Sequence, residues 1–188
     1  IREDSLLTGK LEKTNEPYSI AKIAGIKLCE SYNYQYGTNY KCLMPCNSFG
    51  PNDNYNKDTS HFFASIFRKI YEAKLNKKDF IYLWGDGKAK REIIFSEDLA
   101  DACLHFLKKK TKHSLINIGQ GKDLTILNYA KLIMKFFKVK LKIKYINKNL
   151  KGTPRKLMNI KLAKSYGWQA KTEINQALKI TFEAYEHK

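Results

Sequence analysis

Tyr18-Ser19-Ile20-Ala21-Lys22 sets a phenol and an ammonium four residues apart. On a helix that spacing puts both groups on one face. A free tyrosine titrates near ~10, and a neighbouring cation favours its phenolate and lowers that value. Such a pair can exchange a proton with a substrate oxygen near neutral pH. The same spacing also arises as an ordinary pair on a helix surface. His61 stands before an apolar-periodic stretch. It is open to two readings, a cap for the following helix or a group that exchanges protons near neutrality. Cys29, Cys42, Cys46 and Cys103 show no paired Cys-x-x-Cys spacing and sit in apolar periodic stretches. They read as reduced, packed thiols, and no metal site is expected.

The elements that must position these groups follow from periodicity. Thr14-Asn15-Glu16-Pro17 has the form of a helix start, with capping side chains ahead of a first-turn proline. Ile20, Ile23, Ala24, Ile26 and Leu28 carry that helix to about Tyr34, and Gly37 stops it. Lys41 to Pro45 reads as a strand, and Asn47 to Asn54 as a cluster of turns. Next come a helix over His61 to Lys74, a strand over Phe80 to Trp84, a Gly85-Asp86-Gly87 turn and a strand over Arg91 to Phe95. A helix over Asp98 to Lys110 and a strand over Leu115 to Ile118 lead to a helix from Thr125 to Phe137. A strand at Leu141 to Ile146, a loop from Asn147 to Arg155 and a closing helix from Ile174 to Tyr185 complete the chain. Strands alternating with helices predict an α/β chain with parallel sheet.

The 188 residues suffice for one compact domain with an appendage and exclude two large ones. No 18-residue apolar span is present, so no membrane role is expected. The formal charge of +17 arises from 35 basic against 18 acidic residues, of which only Arg2, Arg68, Arg91 and Arg155 are arginine. Lysines scattered along the whole chain describe a solvated surface better than a nucleic-acid interface, which would favour the arginine fork. No leader pattern follows Ile1, and a cytoplasmic product is expected.

The run from Thr14 through Glu30, then Met44-Pro45-Cys46-Asn47-Ser48-Phe49-Gly50-Pro51-Asn52-Asp53-Asn54, then Ser60-His61, resembles the GDP-L-fucose synthase family of the extended short-chain dehydrogenase/reductases. Trp84-Gly85-Asp86-Gly87, Arg91-Glu92, Asn117 to Gly121, Asp123 to Ile126, Gly152 to Lys156 and Gly167-Trp168 continue the pattern in order. The resemblance implies the C-terminal part of a Rossmann-like NAD(P)-binding fold joined to a small α/β substrate domain. Residues 1–58 would be the late part of the NADP-binding domain. Residues 59–188 would be mainly the nucleotide-sugar domain, with segments returning to the Rossmann-like sheet.

It implies epimerisation of GDP-4-keto-6-deoxy-D-mannose at C3 and C5, then reduction at C4 by NADPH. Tyr18 would be the acid at the C4 oxygen, Lys22 its tuner and a ribose contact, and His61 an acid of the epimerisation lying near the cofactor. Pro45, Cys46, Asn47 and Ser48 would border the nicotinamide, and Lys69, Trp84 and Arg91 the GDP-sugar. A homodimer packed through the Tyr18 helix is also implied.

The sequence departs from that pattern in specific places. Neither Gly85-x-Gly87 nor Gly119-x-Gly121 completes Gly-x-Gly-x-x-Gly, and the family's Ser-x-Cys segment is absent. The pattern is entered partway through, so the chain is expected to be the C-terminal portion of a longer enzyme. Lys151 occupies an expected acidic position, and Asn159 one where aspartate is usual. Two other readings stand beside this one. One is an epimerase or dehydratase acting on another NDP-hexose; the other is a non-catalytic basic module that has kept the fold.

Overall fold

The computed structural model describes residues 1–147 and 153–187, so Lys151 and Gly152 lie outside the described residues. The first long helix, α1 (Glu16–Tyr36), starts with Pro17 in its first turn and ends at Gly37, whose φ of 62° is the left-handed cap that glycine supplies. The expected caps Thr14 and Asn15 serve a different turn. Glu12 accepts bonds from the Thr14 backbone N–H, the Thr14 hydroxyl and the Asn15 amide, closing a 3-10 turn over Lys13–Asn15.

Strand β1 (Cys42–Pro45) is followed at once by β2 (Asn47–Phe49), where turns were expected. Burial of Phe49 outweighs the turn preference of Asn47 and Ser48. Its ring centroid lies 4.4 Å from Phe63 and 5.8 Å from Phe95. Helix α2 (Phe62–Leu75) and strand β3 (Phe80–Trp84) fall where the periodicity puts them. The expected strand over Arg91 to Phe95 splits at Glu92 into β4 (Lys90–Arg91) and β5 (Ile93–Phe95). The Glu92 side chain turns into the interior, so Arg91 and Ile93 join different sheets.

Helix α3 (Ser96–Lys108), β6 (Leu115–Ile118), β7 (Leu124–Thr125), α4 (Ile126–Phe136) and β8 (Lys142–Ile146) follow. The described chain closes with β9 (Arg155–Lys156), a short α5 (Lys161–Ser165) that the periodicity did not reveal, and α6 (Ile174–Glu186). Asn159 does here what an aspartate would, since its Oδ1 accepts the Lys161 N–H at 3.0 Å as α5 begins.

Three parallel pairs, β1–β6, β2–β5 and β3–β8, form the main ladders. Strand β4 pairs antiparallel with β7 and parallel with β9. Cys46 is the switch point. Its N–H still bonds Ile118 O at the end of the β1–β6 ladder (2.9 Å), while Asn47 already pairs with Ile93.

Two apolar clusters result. The larger joins α2, β3, α4 and α6 around Phe63, Phe67, Ile70, Leu83, Ile133 and Leu178. The smaller joins β6, α3 and α5 around Ile116, Ile118, Phe106, Ala163 and Trp168, with Leu43 of β1 packed against it. No described helix is long and apolar enough to cross a membrane.

Candidate functional site

Tyr18 stands in the first turn of α1 with 66% of its surface exposed, and the Lys22 ammonium lies 5.4 Å from its ring centroid. The i, i+4 neighbourhood read from the sequence is therefore formed, with both groups open to solvent. His61 is the residue before α2, and its imidazole makes no capping bond. The helix is instead entered through the His61 carbonyl, which accepts the Ser65 N–H at 2.9 Å. The capping reading of His61 is thus removed, and its ring is exposed.

Pro45, Asn47 and Ser48 are exposed at the carboxyl ends of the parallel β1–β6 pair. That is the end at which open α/β sheets bind ligands. Cys46 between them is half-buried. Burial, and then the Glu92 carboxylate, push its thiol pKa well above the usual range. Its thiol is uncharged at neutral pH, which suits no nucleophilic role.

Trp84 and Arg91 flank the Gly85-Asp86-Gly87 turn and share one cavity of about 350 Å³ with Phe62, Ile126 and Pro154. Trp84 is 62% exposed at the end of β3. Arg91 Nη1 donates to the carbonyls of Lys90 and Thr153, each at 2.7 Å, which fixes the plane of the fork. Burial lowers the Arg91 pKa, and a half-buried guanidinium gains more than a solvated one from an anion brought to it. Lys69 on α2 does not line this cavity. Its ammonium donates to Tyr82 O at 3.3 Å, and burial followed by the Arg68 charge lowers its pKa. Tyr18, Lys22, His61 and the Pro45–Ser48 segment lie outside the cavity walls as well, although Phe62 joins His61 to them. A second cavity, of about 420 Å³ and bordered by Phe49, Tyr129, Lys122, Lys164 and Lys171, holds none of the residues singled out from sequence.

Glu92, seen in the sequence only as the partner of Arg91 in a motif, is the residue that organises this region. It is 1% exposed. Its carboxylate accepts the backbone N–H of Gly121 at 2.6 Å and of Met158 at 2.7 Å. A Cβ at Gly119 would overlap that carboxylate, so the glycine is required by the close approach. Gly121 has φ 72°, and a Cβ there would lie 2.6 Å from Ile160 Cδ1. Of the two glycines that fail to form a dinucleotide fingerprint, Gly119 thus makes room for an internal glutamate, and Gly121 makes room for Ile160 while donating its N–H to that glutamate. Among the described residues, no group of three or more His, Cys, Asp or Glu is placed to hold a metal ion.

The sequence model of the NAD dependent epimerase/dehydratase family matches residues 1–119. GDP-L-fucose synthase of Sinorhizobium fredii is 40% identical over 185 residues, covering 98% of this chain and 59% of that protein. The Escherichia coli GDP-L-fucose synthase is 38% identical over 190 residues, covering 96% of this chain and 59% of its own length. This chain therefore spans about three fifths of the curated relatives it matches. The crystal structure of a GDP-D-glycero-L-gluco-heptose synthase from Campylobacter jejuni, in the presence of NADPH, superposes with a TM-score of 0.86 at 28% identity. All of this chain and 64% of that one are covered. The α/β ladders and these matches together establish that the chain belongs to the NAD dependent epimerase/dehydratase family.

Proposed function

We propose that this chain provides the proton-donor helix, the nicotinamide-side strand ends and the sugar-nucleotide cavity of a cytoplasmic NADPH-dependent epimerase/reductase that makes GDP-L-fucose from GDP-4-keto-6-deoxy-D-mannose. The observation that carries this reading is the pairing of an exposed indole and a half-buried, carbonyl-clamped guanidinium in one cavity. An indole can pack on a ring face while the fork meets a diphosphate. On this reading Lys69 contributes a further cation on the same side of α2. Relatives named for GDP-sugar chemistry support it.

Residues 1–58, with β6, α3 and α5 returning beside them, would form the late part of the cofactor-binding unit, and the rest of 59–188 the sugar-nucleotide unit. The exposed Pro45, Asn47 and Ser48 at the strand ends fit the nicotinamide end of NADP(H), with Lys22 toward its ribose. Gly119 and Gly121 form no cradle for the pyrophosphate end, since the Glu92 carboxylate fills the space beside Gly119 and already accepts the Gly121 N–H. When bound, the cofactor supplies a hydride to C4. Tyr18 would deliver the proton to the C4 oxygen, with the Lys22 ammonium one helical turn away beside its ring. His61, with an imidazole held by no cap, would protonate the sugar carbon during epimerisation. A second copy would pack on the exposed side chains of Ile20, Leu28, Tyr32 and Tyr36 along α1.

The test is product analysis with the complete protein, GDP-4-keto-6-deoxy-D-mannose and NADPH. GDP-L-fucose is expected from the unsubstituted enzyme. Tyr18→Phe should lower turnover by about 10² to 10⁴, the usual contribution of a general acid, with GDP binding unchanged. Unchanged turnover, or a clear preference for another NDP-hexose, would overturn the assignment.

A further inference from the structure

Four cysteines are free, and Cys29 of α1 is close enough to Cys42 of β1 to act on its thiol. The inward face of α1 is marked by the residues that lose exposure: Ser19, Ile23, Ile26, Cys29, Glu30 and Asn33. Their spacing is that of one helical stripe. On β1 the alternation is equally plain. Lys41 and Leu43 point toward α3, where they border a groove with Cys103 and Phe106. Cys42 therefore faces the other side of the strand, toward Cys29 and Glu30 of α1.

The level of the two thiols along the joint is fixed by Asn33, one turn beyond Cys29. Its amide donates to Tyr40 O (2.8 Å) and Ser114 Oγ (3.0 Å), and its oxygen accepts the Tyr40 N–H (2.8 Å). Ser114 in turn accepts the Cys42 N–H through its carbonyl at 2.6 Å. One helical turn, one strand start and Ser114 are thus locked together, which holds Cys29, one turn earlier on α1, on the side of β1 that Cys42 faces.

We propose that Cys29 and Cys42 form a redox-active dithiol, which a small-molecule disulfide oxidises to an intrachain cystine fastening α1 to β1. In the first step the Cys29 thiolate attacks one sulfur of the oxidant. The oxidant's S–S bond breaks, and the leaving thiolate takes up the proton that Cys29 released. In the second step the Cys42 thiolate attacks the Cys29 sulfur and expels the remaining half of the oxidant, which takes up the Cys42 proton. Two electrons pass from the protein dithiol to the oxidant, and no other reactant is needed.

Burial, then Cys29 and Glu30, push the Cys42 thiol up to about 11, so Cys42 resolves the mixed disulfide rather than initiating it, and more quickly as pH rises. The crosslink would sit about two turns along α1 from Lys22. Oxidation would thus fix the helix that carries Tyr18 against the strand that ends in Pro45.

The experiment incubates the full chain with oxidised glutathione, quenches by alkylation and maps the peptides by mass. Cys103, exposed on α3, takes up glutathione and is the internal control. The expected result is a Cys29–Cys42 cystine, lighter than the dithiol by about 2 Da, with no glutathione retained on either residue. In Cys42→Ser, folded by circular dichroism, glutathione should persist on Cys29 at least tenfold longer than in the unsubstituted chain. The proposal is overturned by glutathione retained on Cys29 beside an intact Cys42, by a cystine between a different pair, or by both thiols remaining unreacted after Cys103 has been modified.

Discussion

Removing the Glu92 carboxylate tests whether a buried anion, rather than apolar packing alone, holds the joint beneath Arg91. Glu92→Ala leaves the N–H groups of Gly121 and Met158 without their acceptor in a site that is almost closed to water. An orphaned buried donor costs about 1–3 kcal/mol, so two give a loss of about 3 kcal/mol once some water enters. That is a large share of the roughly 5–15 kcal/mol that keeps a domain folded.

Glu92→Gln keeps one acceptor oxygen, places an amide N–H₂ against the other donor, and removes a charge whose burial is itself unfavourable. Its expected loss is about half as large. With a urea dependence of about 2 kcal/mol per molar, the midpoints should fall by about 1.5 M for alanine and about 0.7 M for glutamine. Trp168 is the reporter. It is 3% exposed, and its Nε1 donates to Asp101 at 2.9 Å, whereas Trp84 is already in solvent.

A pH series gives the sign of the charge effect. Burial raises the Glu92 pKa above its ordinary 4.5, against the opposing influence of its backbone donors. The folded state then binds the proton more tightly than the unfolded state. The Glu92 contribution to stability grows as pH falls through the raised value and is complete below 4.5. The difference between the unsubstituted chain and Glu92→Gln should follow that course. Midpoint shifts under about 0.3 M for both variants would refute the reasoning, since no orphaned donor could then be present.

Two other outcomes follow from the same geometry. In the complete protein, His61→Gln should impair epimerisation by about 10² or more while sparing reduction of a simple ketone substrate, checked by deuterium exchange at the sugar carbons beside NADPH oxidation. Equal losses in both assays would contradict the division of labour between His61 and Tyr18. Asp123 has its pKa held below the ordinary 3.8 by the Arg155 fork, whose Nη2 lies 3.2 Å from Oδ1. Its stabilising contribution is present above 3.8 and lost as pH falls through the depressed value. Asp123→Asn should therefore flatten the acid limb of the unfolding profile, and an unaltered limb would argue against the pair.

What the sequence revealed and what it concealed divide along a physical line. Helices α2, α4 and α6 and strands β3 and β6 bury one regular face or run, and period alone places them within a residue or two. The Tyr18–Lys22 pair is legible for the same reason, because its two members are local. Strand β2 was hidden because Asn47 and Ser48 carry turn chemistry locally, and only Phe63 and Phe95 make Phe49 worth burying.

The cavity was half visible. Trp84 and Arg91 lie on either side of a recognisable glycine turn, whereas Pro154 reaches the same wall from a distant segment. Glu92 was the least legible, since its acceptor role depends on Gly121 and Met158, 29 and 66 residues away. No window of sequence contains those partners. Yet Glu92 explains why the strand breaks there: Arg91 extends toward the cavity wall while its neighbour turns inward and is held at both oxygens. The guanidinium thus stands on a backbone anchored one residue away, so its aim is set by a buried carboxylate rather than by the exposed turn beside it.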